Sequence, residues 1–342
     1  MFFSLILPFD NISERLKYNN NVVDTIARRN VFIFSPQMRF YIYGEKSTWS
    51  VSYNMSHSQP DLSGMMPDEN DINPLARRIN NPNLKNTLTH SLSVGCDFRV
   101  PEVQQSVGFN LDFNSTSNST GMRTNYDTKT GAYTYQQDNV NGNWNMTFST
   151  SFSRPLDKPK RLMLSSNLSF AYRHDVDFDI SYDGESQVLS RVKNINLNES
   201  LSLNYSFGDF TFGVTGWYSW RNSTSGRANF STINSIDYNY GINADCKLPL
   251  DIRAEADMKM YSRRGYQDVT MNTDDLVWNA SLSRCFVNGR LILSLKAYDI
   301  LHQLSSTYYS INAQGRTESW NNTFSRYAML SVAYKFSADP KK

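Results

Sequence analysis

The stretch Asp68-Glu69-Asn70-Asp71-Ile72-Asn73 gathers enough side-chain oxygens to coordinate a hard cation, and His174-Asp175-Val176-Asp177-Phe178-Asp179 sets a histidine among three carboxylates. The first lacks the glycine and terminal glutamate of an EF-hand loop. The second repeats its polar groups every two residues, the spacing of a strand emerging into water. His57, His90, His174 and His302 lie on separate segments, and no nucleophile motif accompanies them. Cys96, Cys246 and Cys285 are odd in number, far apart and without a CxxC pair, so they are read as small strand residues rather than as a metal site or disulfide framework. Sequons at Asn114, Asn118, Asn222 and Asn229 are what chance supplies in a chain this rich in Asn, Ser and Thr. The expectation is a chain with no catalytic, cofactor or metal site, and not an enzyme.

What positions these groups is legible from composition and periodicity. Hydrophobic residues make up only 39% of the 342 positions, yet there are 20 Tyr and 20 Phe, a mixture that favours strands. Lys plus Arg (34) nearly balances Asp plus Glu (32), with no basic stripe, which argues against a nucleic-acid partner. No apolar run approaches the ~18–20 residues that a spanning helix needs. A mean hydropathy of −0.52 is nevertheless compatible with a membrane barrel, because lipid-facing and lumen-facing residues alternate along each of its strands.

That alternation recurs along the chain. Leu88, His90, Leu92, Val94, Cys96, Phe98 and Val100 oppose Thr87, Thr89, Ser91, Ser93, Gly95, Asp97 and Arg99. Leu201, Leu203, Tyr205 and Phe207 oppose Ser200, Ser202, Asn204 and Ser206. From Leu250, the residues Ile252, Ala254, Ala256, Met258 and Met260 alternate with Asp251, Arg253, Glu255, Asp257 and Lys259. The charged face must see water, while the other must be covered by lipid or by a second sheet. Many segments reach about ten residues, the length that a tilted strand needs to cross the hydrocarbon layer, whereas soluble strands are nearer five or six.

Tight links fall at 44–46, 101–102, 156–160, 208–209, 248–249 and 288–289, and long polar stretches at 58–84, 115–140, 174–190, 221–232, 262–274 and 302–322. This is the pattern of an up-and-down barrel with short periplasmic turns and long outer loops. The predicted fold is therefore all-β, an antiparallel transmembrane β-barrel with about thirteen strand segments across residues 31–336. Residues 1–30 show no clear alternation and are left as a loop or strand remnant, and 337–342 form a tail. Trp49, Trp144, Tyr172, Trp220 and Trp278 are expected in interfacial girdles. Glu199 and Arg284 fall in the lipid-facing register and are expected near the two rims, where charge costs less. The amino terminus lacks a positive n-region and a cleavage site, so an exported chain is expected to begin upstream of Met1.

Three pieces carry a family resemblance. Asn73-Pro74-Leu75 is followed by Asn81-Pro82-Asn83-Leu84-Lys85 and His90-Ser91-Leu92; Asp299-Ile300-Leu301-His302-Gln303 comes later; and Leu330, Val332, Tyr334 and Phe336 share one face of the last strand. Together they resemble the carboxy-terminal barrel of TonB-dependent receptors, with Asn80 and His302 standing where the family has Gly and Asn. The resemblance implies part of a larger barrel of about 22 strands, located in the cell outer membrane, with lipid and the barrel-assembly machinery as partners. The last four residues would be the assembly signal. Coupling to TonB would pass through an amino-terminal plug that this chain lacks, and the ligand taken up stays open. The alternative is a self-standing or degenerate barrel with a structural or passive pore role and no TonB coupling. No cofactor is implied.

Overall fold

The computed structural model describes residues 1–19, 24–66, 69–70, 73–227, 230–267, 269–303, 307–312, 315–320 and 326–336. The tail 337–342 and Asn229 lie outside the described residues, as do Asp68, Asp71 and Ile72 of the acidic loop. Helical structure among the described residues is limited to single 3-10 turns such as Ser63–Met65 and Pro101–Val103.

Fourteen strands form one sheet, each hydrogen-bonded to the next in chain order and antiparallel to it. They are Phe2–Ile6, Gln37–Tyr43, Ser47–Ser58, Thr87–Val100, Gln105–Ser117, Asn143–Pro155, Leu162–Phe178, Leu189–Phe207, Phe210–Ser225, Ile233–Leu248, Ile252–Arg264, Asp274–Phe286, Leu291–Tyr298 and Tyr327–Tyr334. Phe2–Ile6 and Tyr327–Tyr334 are its edges, and no further strand pairs with either among the described residues. The period-2 pattern is carried from strand to strand through the long strands of the sheet. Leu203 pairs with Leu164 and Val214, and Val214 with Ile242, on the lipid-facing side. Asp257 pairs with Asn243 and Asn279 on the polar side.

The amino-terminal region departs from expectation. Phe2–Ile6 is a strand of the main sheet, paired with Gln37–Tyr43, while Phe9–Asn19 and Asp24–Phe34 form a separate hairpin. Phe2 and Ile6 lie on the polar side of the sheet with Phe3 and Leu5 on the other, so this strand is apolar on both faces and gives no alternation to read. Val31 is therefore a residue of the outer hairpin, and the main-sheet strand after it begins at Gln37. Pro8 and Pro36 stand on facing strands at the break between the two pairings, with Pro8 across from Ser35. A proline has no N–H to donate to a ladder, and only their carbonyls are used, by Ser35 N (3.2 Å) and Met55 N (3.1 Å).

The strands also outrun the membrane, since Leu189–Phe207 is 19 residues long and Leu162–Phe178 is 17. Beyond their outer ends, stretches expected as loops form a second sheet of five strands. Ser119–Tyr126 and Tyr133–Val140 make a hairpin within 115–140. Ile180–Tyr182 and Ala76–Ile79 add to its two sides in parallel, and Glu69–Asn70 pairs with the latter. Each of the three loops satisfies its backbone groups with another loop's. The result is one continuous layer.

Aromatic side chains collect at both ends of the strands. At the outer end Trp144 stacks on Tyr172, with ring centroids 4.9 Å apart, and Tyr53 is bonded to His90 Nδ1 at 2.7 Å. At the turn end the Arg161 guanidinium lies 4.7 Å over the Phe207 ring. Arg284 lies at the same rim with its guanidinium 4.7 Å over Phe286, where a long side chain can reach the interface. Glu199 receives a hydrogen bond from Ser166 Oγ at 2.7 Å, so its carboxylate has a partner on the lipid-facing side.

Candidate functional site

The residues with chemical potential distribute over two surfaces, the polar face of the main sheet and the outer loop layer. On the polar face, the middle heights of the strands from Ser47 to Ser225 contribute mostly small neutral groups. A recess of about 520 Å³ is floored there by Ser50, Gly95, Gly108, Asn110, Ser149 and Ser151, with Asp97 beside them. The later strands carry charge. A second recess, of about 400 Å³, is lined by Asp245, Glu255, Asp257, Asn279 and Lys296. Arg253 Nε spans two carboxylates there, 2.7 Å from Asp245 and 3.2 Å from Glu255, while Asn279 donates to Asp257 at 3.1 Å and Ser281 to Glu255 at 3.2 Å. These carboxylates are engaged by cations and amides. Among the described residues, no group of three or more His, Cys, Asp or Glu side chains is placed to hold a metal.

Of the two candidate ligand clusters of the sequence, the acidic loop lies largely outside the described residues, and the groups of the second are bonded separately. His174 Nδ1 lies 2.8 Å from the Gly142 carbonyl, and Asp175 accepts from Arg173 Nε (2.7 Å) and Asn194 Nδ2 (2.9 Å). His174 and Asp175 lie on opposite sides of the strand. The three cysteines are free thiols on separate strands.

The first of the three sequence pieces, 81–85, ties the outer layer to the strand that follows it. Asn81 is buried and donates from Nδ2 to the Gln137 carbonyl (3.0 Å) and to Asp138 Oδ1 (3.3 Å), while its own Oδ1 accepts from Asn83 N (3.0 Å). Leu84 is buried beside it, and Lys85 N donates to Asn139 Oδ1 at 2.7 Å. Pro82 lies within the turn that this network closes. At the other motif, Asp299 is 1% exposed and accepts from Gln303 N at 3.0 Å, and Gln303 Oε1 accepts from Leu276 N at 3.0 Å. Ile300 N donates to the Trp278 carbonyl at 2.8 Å, and Leu301 follows it in the same turn. The motif thus fastens the end of Leu291–Tyr298 to its neighbour Asp274–Phe286. Asp299→Ala strands the Gln303 N–H, and the expected cost is about 1–3 kcal/mol, read as a lower midpoint in urea unfolding of the detergent-solubilised protein. Leu330, Val332, Tyr334 and Phe336 lie along the free edge and are exposed.

Two further anchors were not legible in the sequence. Arg29, on the amino-terminal hairpin, donates from Nε to Glu14 (2.7 Å) and from Nη2 to the Pro60 carbonyl (2.9 Å), and its Nη1 contacts Met65 Sδ (3.0 Å). It joins the hairpin to the turn Ser63–Met65. Tyr266, in the loop after Ile252–Arg264, donates its hydroxyl to Asp237 (2.8 Å), which also pairs with Arg221. Gly265 enters this loop at φ +79, where a side chain would collide with the Asn234 carbonyl. Burial and then the Asp237 carboxylate push the Tyr266 phenol up to about 12. Because the folded value exceeds the ordinary one near 10, the contribution of this tether is whole below pH 10 and lost as pH rises through about 12. Tyr266→Phe is expected to make the loop a faster protease target at neutral pH and to abolish that alkaline transition.

Comparison with known proteins adds the family. The copper transporter OprC shares the fold at 10% identity and TM-score 0.50, over 78% of this chain and 42% of the transporter. A ferric enterobactin receptor of Pseudomonas aeruginosa, PfeA, solved in complex with enterobactin, matches at 9% identity and TM-score 0.53, over 91% of this chain and 45% of the receptor. The chain spans less than half the length of either. No curated protein sequence matches it. The model of the outer membrane protein beta-barrel family matches residues 13–229 and 158–334, nearly the whole chain. A polar inner face, an apolar outer face and aromatic rims agree with that match, and the chain belongs to the outer membrane protein beta-barrel family, a protein of the cell outer membrane.

Proposed function

We propose that this chain is the carboxy-terminal barrel portion of a TonB-dependent receptor, which draws a scarce ligand across the outer membrane. The observation that carries the reading is the unfinished sheet. Both edge strands are unpaired among the described residues, and their side chains are exposed on both sides, with Phe2 at 52%, Phe3 at 55% and Leu330 at 72%. Unpaired edges are templates for further strands, and receptors of this kind close at about 22. The three motif pieces in their order, and a wide polar inner face able to seat a plug, give further support. In this reading the wall and outer loops come from this chain, while gating and TonB contact come from a plug outside it.

A second reading rests on the strand count. Fourteen is even, as in self-standing bacterial barrels, and Phe2–Ile6 could close on Tyr327–Tyr334 to make a passive or structural pore. An immunoblot of native outer membranes with antibody to residues 337–342 separates the two. A band far heavier than 39.3 kDa is expected for the receptor. A band at that mass would overturn it in favour of the small barrel.

A further inference from the structure

We infer that the exposed face of the five-stranded outer sheet is a binding platform for a neutral oligosaccharide. Tyr182, Tyr126 and Tyr133 occupy paired positions on three adjacent strands and so lie side by side on one face, Tyr182 meeting Tyr126 edge-to-face at 6.1 Å. Tyr135 lies two residues along from Tyr133 on the same face, with ring centroids 6.0 Å apart and planes within 15°. Tyr126 and Tyr133 are 4.7 Å apart. Two separate loops contribute these rings, and the sheet hydrogen bonds hold them on one face.

The two faces of this layer differ. Ser181 and Val140 on the reverse are buried, and Arg123 there pairs with Asp138 and lies 5.0 Å over Phe178 at the end of a barrel strand. The tyrosine face is open, with Tyr133 at 36% and Tyr182 at 48% exposure. Beside Tyr135 the turn Ser63–Met65 rises over the sheet and encloses a cleft of about 220 Å³. This is smaller than the ~300–1,000 Å³ of sites that engulf a whole ligand, so it suits one ring of a longer molecule lying on the tyrosines. The turn is held by Arg29 and by Asn80 Nδ2, which donates to the Ser63 carbonyl at 3.0 Å.

Charge selects the occupant. Among the described residues lining the cleft, Arg78 and Asp61 are the charged ones and are opposite in sign, and the remaining polar groups are hydroxyls and amides such as Ser63 and Gln137. A polyanionic metal chelate would need a surplus of positive charge. A neutral sugar chain offers C–H faces to the rings and hydroxyls to the amides, and rigid tyrosines supply such amphipathic contact at low entropic cost.

This deepens the import reading by naming its substrate class, and its test needs no energised transport. Detergent-solubilised protein purified from its native outer membrane is run in native gels containing starch, arabinoxylan or galactomannan, with an iron(III) tris-catecholate as the chelate probe. Retardation by at least one polysaccharide is expected. Tyr126→Ala with Tyr133→Ala should weaken it about tenfold or more, as loss of buried anchor rings does, and the same pair changed to Phe should retain it. Tyr182→Ala, at the edge of the row, should give a partial loss without touching the central pair. No retardation by any of the three, retardation indifferent to the alanine changes, loss in the phenylalanine pair, or tyrosine-dependent binding of the chelate alone would each overturn the inference. Absence of retardation beside a heavy outer-membrane band leaves the receptor reading standing, and retardation beside a 39.3 kDa band does the reverse.

Discussion

Arginine at Val214 is expected to remove most of the folded protein from the outer membrane, while arginine at Thr215, the next residue, leaves it there. Val214 pairs with Leu203 and Ile242 and is 45% exposed on the apolar side of the sheet. It lies four residues above Phe210 at the turn end. With ~3.3 Å per residue and a tilt near 40°, that is about 10 Å into an apolar band about 25 Å tall. A guanidinium near the midplane costs about 2–4 kcal/mol, a large part of the stability of an ordinary domain. Thr215 faces the polar side, between Ser202 and Gly241, and although its own hydroxyl is buried, an arginine's long stem carries the guanidinium past its neighbours to water. Heat-modifiable migration of the two variants on gels, after identical expression, reads the difference. Equal loss in both would mean that the sheet has no lipid-facing side at this height.

The second large effect is expected at the last strand. Changing Leu330, Val332, Tyr334 and Phe336 together to Ser should leave the protein out of the outer membrane, with the synthesised chain degraded or aggregated. Leu330, Val332 and Tyr334 form one apolar row on an edge strand, and Phe336, two residues past its end, is in edge-to-face contact with Tyr334, 4.7 Å between centroids. Their neighbours Met329, Ser331 and Ala333 pair with the polar-facing row Lys296, Ser294 and Ile292. If this strand is the one that the assembly machinery grips, the apolar row and the free ladder are both needed, because backbone pairing supplies affinity and side-chain pockets supply choice. Met329→Ser with Ala333→Ser is the control and should assemble. Normal assembly of the fourfold variant would remove the assembly-signal role from these residues.

The candidate binding layer was harder to read than the barrel. Leu88 to Val100 announces itself because one face is apolar apart from His90, and lipid imposes the same demand along every such strand. In the outer layer the selection is different. Thr134, Gln136 and Asp138 alternate with Tyr133, Tyr135 and Gln137, so both faces are polar or amphipathic and the hairpin resembles a loop. The local cue was the Tyr133-Thr134-Tyr135 alternation just after Gly131, too short to outweigh its polar surroundings. Arg29 and Tyr266 gave no cue at all, since their partners lie 31 and 29 residues away.

The residues alone are enough for the class of fold, the side that the long strands turn to lipid, and the positions of the short turns. All of these follow from local chemistry: a two-residue period, and Gly, Pro and Asn where the chain reverses. Only the tertiary structure decided that Phe2–Ile6 is a strand of the main sheet, that the separate loops join into one layer, and that four tyrosines from that layer share an open face. Those outcomes depend on backbone groups finding partners in distant segments, and a hydrogen-bond ladder between distant segments leaves no period in either one.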